Sequence, residues 1–149
     1  MTKKERALLA VQTLEEVYPQ ATCALQYEKP YELLIAVRLS AQCTDARVNQ
    51  ITPKLFAAYP TLESLAAADI ADLEDIVRPC GFFHMKAKSI KEMSAQLILN
   101  FGGVVPDNME DLLSLSGVGR KTANLILGDV YGKPAIVADT HFILSLIHI

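Results

Sequence analysis

The chain has no tryptophan, and phenylalanine and tyrosine contribute only five residues each to its 149. Its three cysteines, Cys23, Cys43 and Cys80, are an odd count at long spacings, which excludes a disulfide framework and a Cys-x-x-Cys metal site. All three read as small buried apolar residues. No apolar run reaches the roughly 18 to 20 residues of a membrane-spanning helix; the longest, 33–41, contains Arg38 and is followed by Gln42 and Asp45. The opening Met1-Thr2-Lys3-Lys4-Glu5-Arg6 leads into a charged helix, not an apolar signal segment. The expectation is a soluble cytoplasmic protein with no membrane partner. A basic excess is missing too. Fourteen Lys and Arg against seventeen Asp and Glu leave a net charge of −3, which argues against a surface that binds nucleic acid all over.

What is present is a core. Apolar residues make up 51% of the chain and charged ones 21%, enough to fill one ordinary domain. Charge is unevenly placed: 61–75 carries Glu63, Asp69, Asp72, Glu74 and Asp75 with no base, whereas 78–91 carries Arg78, Lys86, Lys88 and Lys91 with no acid. A polyanion would use the second stretch and ignore the first.

Apolar periodicity is helical nearly throughout. Leu8, Val11, Leu14 and Val17 repeat along one face of 4–17 until Pro19 stops it. Pro30 suits a first helical position, and 31–41 is apolar almost all round, as a central buried helix is. A helix over 44–56 should be bent or ended early by Pro53. Thr61 and Asp69 suit the N-caps of two short helices. A longer helix over 83–100 buries Ile90, Met93, Leu97 and Ile98 and stops at Gly102 and Gly103. Pro106-Asp107-x-x-Glu110 is a cap signature opening a helix over 109–115, and 120–130 is the last clear helix, ended near Gly132. No stretch alternates like a strand. The fold class is all-α, with about eight short helices and no linker, repeat or low-complexity segment.

Leu115-Ser116-Gly117-Val118-Gly119-Arg120-Lys121-Thr122 joins two of these helices through a turn with two glycines, which bring backbone close to another molecule. Unpaired amides and the positive dipole end at the start of the second helix, with Arg120 beside them, suit an anion such as phosphate. A Walker loop is excluded because Arg120 separates Gly119 from Lys121 and a helix, not a strand, precedes the turn. A dinucleotide fingerprint fails because Thr122 stands where its third glycine belongs. A plain tight turn remains the alternative. The dipole and Arg120 both disfavour the ammonium form of Lys121, and a neutral lysine amine is a nucleophile for an electrophilic carbon. Asp139, at the end of an apolar segment, suits a carboxylate that orients Lys121 or stabilises developing positive charge. A surface lysine binding phosphate and an aspartate that only caps a helix are the plainer readings.

These residues resemble a known family. Leu115-x-Gly117-x-Gly119-Arg120-Lys121-Thr122-Ala123-Asn124 followed by Val137-Ala138-Asp139-Thr140-His141 is similar to the helix-hairpin-helix, Gly/Pro-Asp motif of the endonuclease III branch of base-excision DNA glycosylases. Leu39-Ser40-Ala41-Gln42-Cys43-Thr44-Asp45 and Cys80-Gly81-Phe82-Phe83-His84-x-Lys86-Ala87 resemble two further segments of these enzymes, in the same order. The resemblance implies a helix-hairpin-helix glycosylase fold and a bifunctional enzyme that removes oxidised pyrimidines and cuts the abasic site by β-elimination. Lys121 would be the Schiff-base nucleophile and Asp139 the catalytic carboxylate. Flipping the damaged base out of the stack is a physical necessity for such chemistry. By resemblance Gln42 would fill the hole left behind, and Phe82, where leucine is common, would wedge between bases. Asp45, Lys86, Arg120 and Thr122 would contact DNA, and the amides of Gly117, Val118 and Gly119 would hold a phosphate without reading sequence. The implied partner is double-stranded DNA with a damaged base or abasic site, bound by a monomer associated with a bacterial nucleoid.

The chain also departs from the pattern. The family continues into further helices and a four-cysteine motif for a 4Fe-4S cluster, whereas this chain ends eight residues after His141. We therefore expect no cofactor and no metal ligand within it, and a carboxyl-terminally truncated sequence that by itself is poorly stable and lacks lyase activity. Leu144-Ser145-Leu146-Ile147-His148-Ile149 coincides with one translated frame of a transposon adapter used in sequencing libraries, so genuine sequence is expected to end near Ile143. The expected organisation is an amino-terminal helix over 1–27 belonging to the cluster-side domain, a six-helix barrel over 28–143 with its hairpin at 115–122, and a non-native tail over 144–149. Two other functions stay open: a non-catalytic helix-hairpin-helix DNA-binding module, which would need the glycines but not Lys121 and Asp139, and a glycosylase of the same superfamily specific for mismatches or photodimers.

Overall fold

The computed structural model describes residues 1–148, with only the backbone described at Thr140, His141, Ser145 and His148; Ile149 and these side chains lie outside the described residues. The helices in chain order are α1 (Lys3–Val17), α2 (Pro30–Ser40), α3 (Asp45–Ala58), α4 (Leu62–Ala66), α5 (Ile70–Val77), α6 (Phe83–Phe101), α7 (Met109–Leu113), α8 (Arg120–Leu125) and α9 (Thr140–His148). A 3-10 turn at Arg78–Cys80 precedes α6, and a wider, π-type turn at Ile126–Val130 continues α8. Among the described residues there is no strand, as an all-α fold requires. The chain divides into two compact units, Ala24–Ile136 and Met1–Cys23 with Val137–Ile149.

In the larger unit, α2 is held by Pro30 at its first position and by Glu32, whose carboxylate accepts the amides of Glu28 at 2.8 Å and Lys29 at 3.3 Å. It is buried from Tyr31 to Val37 and again at Leu39, so its apolar surround meets protein on every side. The short α4 and α5 pack along α6, burying Leu62, Leu65, Leu73 and Val77 with Ile90, Met93 and Leu97. Each such side chain contributes about 1.5–3 kcal/mol of burial. Thr61 and Asp69 cap these helices as expected, through Ser64 N–H at 3.1 Å and Ala71 N–H at 2.9 Å.

Three expectations change. Pro53 neither ends nor shortens α3, which runs on to Ala58: its ring lies on the exposed side while Ile51, Thr52 and Leu55 stay buried, so packing of the inner face outweighs one missing hydrogen bond. Asn108, not Asp107, caps α7, its side-chain oxygen accepting Asp111 N–H at 2.9 Å, and the helix stops at Leu113. Regular α geometry in the last clear helix ends at Leu125.

In the smaller unit, α1 opens on a capping box: Thr2 Oγ1 accepts Glu5 N–H at 3.2 Å, and the Glu5 carboxylate accepts Thr2 N–H. Leu8, Val11, Leu14 and Val17 are each more than half exposed, so periodicity there reports a helix but not a buried face. Asp139 Oδ1 accepts Phe142 N–H at 2.8 Å at the start of α9.

Candidate functional site

Two connections in the larger unit carry unusual backbone. Between α2 and α3, Gln42 has φ +54°; between the 3-10 turn and α6, Phe82 has φ +46° after Gly81 at +72°. These are the two non-glycine residues with positive φ among the described residues, a conformation costing about 1–3 kcal/mol each. Both side chains are exposed, Phe82 at 62%, and Met85 beside it at 65%. Strained, exposed residues persist only where surrounding structure over-determines them.

The over-determining residue is Lys86. Its side chain is fully buried, and its ammonium donates to Leu39 O at 2.9 Å, Ala41 O at 2.8 Å and Cys80 O at 2.8 Å. Two of these carbonyls lead into Gln42 and the third into Gly81-Phe82, so one charge ties both strained connections together. All three ammonium protons are engaged. The expectation that Lys86 contacts DNA is therefore corrected: it has neither the access nor a free donor for a phosphate. Burial pulls its ammonium below the ordinary lysine range, opposed by the Cys80 and Cys43 thiols. The Cys80 thiol is pushed up to about 11, chiefly by burial and then by Cys43 next to it.

The rest of the basic stretch is likewise partly structural. Lys91 Nζ donates to Ala68 O at 2.8 Å, and Arg78 pairs with Asp75 at 2.8 Å while lying 4.3 Å over the Phe83 ring. Lys88 is exposed, 3.9 Å from Glu92. Asp45 is exposed in the first turn of α3, whose N-cap is Thr44.

The hairpin between α7 and α8 is anchored to α6. Ser116 N–H donates to Gln96 Oε1 at 2.7 Å and Ser116 Oγ–H to Glu92 Oε2 at 2.9 Å, with Leu115 and Val118 buried. Gly117 has φ +76°, and a Cβ there would stand 2.8 Å from Arg38 Cδ and Nε and 3.1 Å from Ser89 Cβ. Glycine is thus required by both backbone and space. Gly119, the N-cap of α8, faces open space. The Val118 amide donates to Leu115 O at 3.2 Å, which removes it from the expected phosphate-holding set. Arg120 and Lys121 are exposed in the first turn of α8, and Thr122 is half-buried. Asp139 belongs to the other unit. The Thr140 and His141 side chains of its motif lie outside the described residues.

Among the described residues, no three His, Cys, Asp or Glu side chains gather where they would hold a metal ion. The described residues do not fit an iron–sulfur cluster. One residue that sequence reasoning treats only as a break in the apolar run belongs to this region. Arg38, partly buried on α2, packs under Gly117 and lines a cavity with Gln42 and Phe82. Its signal is a charge inside the apolar run 33–41.

Residues 35–149 match the family described as HhH-GPD superfamily base excision DNA repair protein. Endonuclease III of Synechocystis sp. is 46% identical over 141 residues, covering 94% of this chain and 64% of that protein. Endonuclease III of Bacillus subtilis is 43% identical over 126 residues, covering 85% and 58%. The chain spans less than two thirds of the length of these relatives. A solved non-covalent Endonuclease III–DNA complex superposes with a TM-score of 0.89 at 42% identity, covering 95% of this chain and 66% of that one. A thermostable thymine-DNA glycosylase shares the fold, with a TM-score of 0.87 at 24% identity, covering 96% and 67%. With its hairpin, its helical order and its sequence all in agreement, the chain belongs to the HhH-GPD superfamily of base-excision DNA repair proteins.

Proposed function

We propose that this chain carries the DNA-engaging and nucleophile-bearing elements of a bifunctional glycosylase and abasic-site lyase for oxidised pyrimidines, acting as a monomer on damaged or abasic double-stranded DNA in the bacterial cytoplasm, at the nucleoid. The observation that carries it is the pair of strained, exposed residues Gln42 and Phe82, fixed by one buried ammonium beneath them. An inserting side chain must keep its geometry while it displaces stacked bases.

The chemistry falls to Lys121. Its amine nitrogen attacks the sugar C1′ of an extruded nucleotide. The C1′–N bond breaks, and its electron pair leaves with the base, which takes up a proton. Loss of a proton from the amine and opening of the sugar ring give an imine. That imine acidifies C2′–H; removal of this proton expels the 3′-phosphate and cuts the strand. Asp139 supplies negative charge as positive charge develops at C1′, a contribution made mainly in the transition state. Gly117, Gly119, Arg120 and Thr122 position phosphate, and Asp45 lies at the DNA-facing end of α3.

The test is a duplex with a single thymine glycol, compared with undamaged and mismatched duplexes. Release of the oxidised base with strand scission from that duplex alone is the expected result. Binding without release would favour a DNA-binding module, and release from a mismatch instead would favour a different lesion class.

A further inference from the structure

Two of the three cysteines adjoin the strained residues. Cys43 comes directly after Gln42, and Cys80 directly before Gly81-Phe82. The expectation of a small buried apolar residue holds for Cys80, which is 2% exposed, whereas Cys43 is half-buried. Both line one cavity of about 320 Å³, together with Thr44, Arg47, Pro79 and Gly81. The backbone around them is held in place: Lys86 Nζ donates to Ala41 O and Cys80 O at 2.8 Å each, Cys43 N–H donates to Ser40 O at 3.1 Å, and Arg47 Nη1 donates to Pro79 O at 3.2 Å. Two thiols are thus kept side by side across connections that lie far apart in sequence.

The two sulfurs are not equivalent. Burial, and then Cys43, push the Cys80 thiol up to about 11, against the Lys86 and Arg47 charges, and a thiol that is enclosed and held protonated does not meet an oxidant first. Cys43 does. Packing alone accounts for Cys80 but not for Cys43, whose accessible thiol makes a weak contact to Thr44 O at 3.8 Å. An accessible cysteine with a second thiol next to it is the arrangement in which oxidation proceeds to a disulfide instead of stopping at one sulfur.

We propose that Cys43 and Cys80 form a redox-active dithiol, in which a peroxide oxidises Cys43 and Cys80 resolves it to a disulfide that adds a covalent clasp to the tie made by Lys86. In the first step Cys43 Sγ gives up its proton and attacks one peroxide oxygen; the O–O bond breaks, and hydroxide leaves with that proton as water. Cys43 is then a sulfenic acid. In the second, Cys80 Sγ attacks Cys43 Sγ, the S–O bond breaks, and hydroxide leaves with the Cys80 proton as water. Each thiol has lost one electron, and the peroxide has been reduced to two waters. Thiols reverse the bond by exchange. Because the disulfide joins the same two connections as Lys86, the oxidised chain keeps the backbone of Gln42 and Phe82 fixed even where that tie is weakened. Only this last consequence for DNA rests on the reading of Gln42 and Phe82 as residues that enter the duplex.

The experiment treats the dilute chain with hydrogen peroxide, alkylates the remaining thiols and maps the unreduced peptides by mass. The expected product is a link between Cys43 and Cys80 within one chain, with a melting temperature about 5–10 °C above that of the same sample after reduction. In unfolding urea the selectivity should disappear. Cys80→Ala should stop at a Cys43 sulfenic acid that dimedone captures, and Cys43→Ala should leave Cys80 reduced, its oxidation slowed at least tenfold. Where Cys80→Ala fails to fold, the wild-type map and Cys43→Ala carry the test. A wild-type chain whose Cys43 is oxidised while Cys80 stays a thiol overturns the proposal. So does a link through Cys23 or between chains, or a Cys80 that reacts at the wild-type rate in Cys43→Ala. Oxidation of Lys86→Met should also restore the preference for abasic over intact duplex that its reduced form loses; a mapped link without that recovery overturns the clasp. A wild-type chain with no abasic preference overturns the repair reading instead, and leaves the mapped dithiol standing.

Discussion

Replacing Lys86 by Met removes one charge and nearly nothing else in shape. The ammonium holds Leu39 O, Ala41 O and Cys80 O at 2.8–2.9 Å from a fully buried position. A hydrogen bond to a charged group contributes about 1.5–3 kcal/mol net, so three supply roughly 5–9 kcal/mol. These net values already include the desolvation of the ammonium, and three bonds on one group do not add in full. The expected destabilisation is about 2–5 kcal/mol, a large part of a typical domain's 5–15 kcal/mol. Urea unfolding followed by far-ultraviolet circular dichroism measures it, with Lys88→Met as the exposed control, expected within about 0.5 kcal/mol of wild type. A second effect follows from the geometry: with both connections released, Gln42 and Phe82 lose their fixed backbone, and preference for abasic over intact DNA should fall more than general DNA affinity. Lys86→Met with wild-type stability and wild-type preference would refute the pinning role.

Gly117→Ala should lower stability by at least about 1–2 kcal/mol, the penalty of its positive φ alone, and its new methyl would in addition displace the Arg38 side chain, 2.8 Å away; Gly119→Ala, facing open space, should melt like wild type and weaken only DNA binding. Exposed Lys88 and Arg120, each changed to Ala, should reduce the slope of log affinity against log salt by about 1, whereas Lys91→Ala should lower the melting temperature by freeing Ala68 O. For Cys80, a thiol raised from 9.0 to about 11 on folding leaves the folded state holding more protons than the unfolded one across that interval. Its contribution is complete below about pH 9 and is lost as pH rises towards 11, so Cys80→Ala should flatten the alkaline decline seen in melts of the wild-type chain. Asp139→Asn should slow base release far more than it weakens binding; equal losses would leave only the helix-capping bond to Phe142.

Local chemistry is what the sequence exposes well. Thr61 and Asp69 announce their helices because a side-chain oxygen and an amide two or three residues on are covalently near. The hairpin glycines are legible for the same reason, as turn residues between two periodic segments. Lys86 is not: its acceptors lie 47, 45 and 6 residues away, and a charge pattern that reads as a solvated basic face is, at this position, a buried tie. Pro53 misleads in the opposite direction, since a local rule against helix continuation yields to tertiary burial of Leu55. Arg38 gives a visible sign, a charge in an apolar run, but its meaning depends on Gly117, which approaches it from across the fold. The strain at Gln42 and Phe82 has no sequence signature, because neither is a residue type that favours positive φ.

The central claim is that Lys121 forms the covalent bond to DNA. Incubating the chain, extended by the carboxyl-terminal part that its longer relatives carry, with an abasic-site duplex and borohydride reduces any imine to a stable amine, and peptide mapping then locates it. The account predicts one adduct, on Lys121, absent from Lys121→Gln while that variant still binds the duplex. An undiminished adduct in Lys121→Gln, or an adduct on another lysine in the wild-type chain, would contradict it.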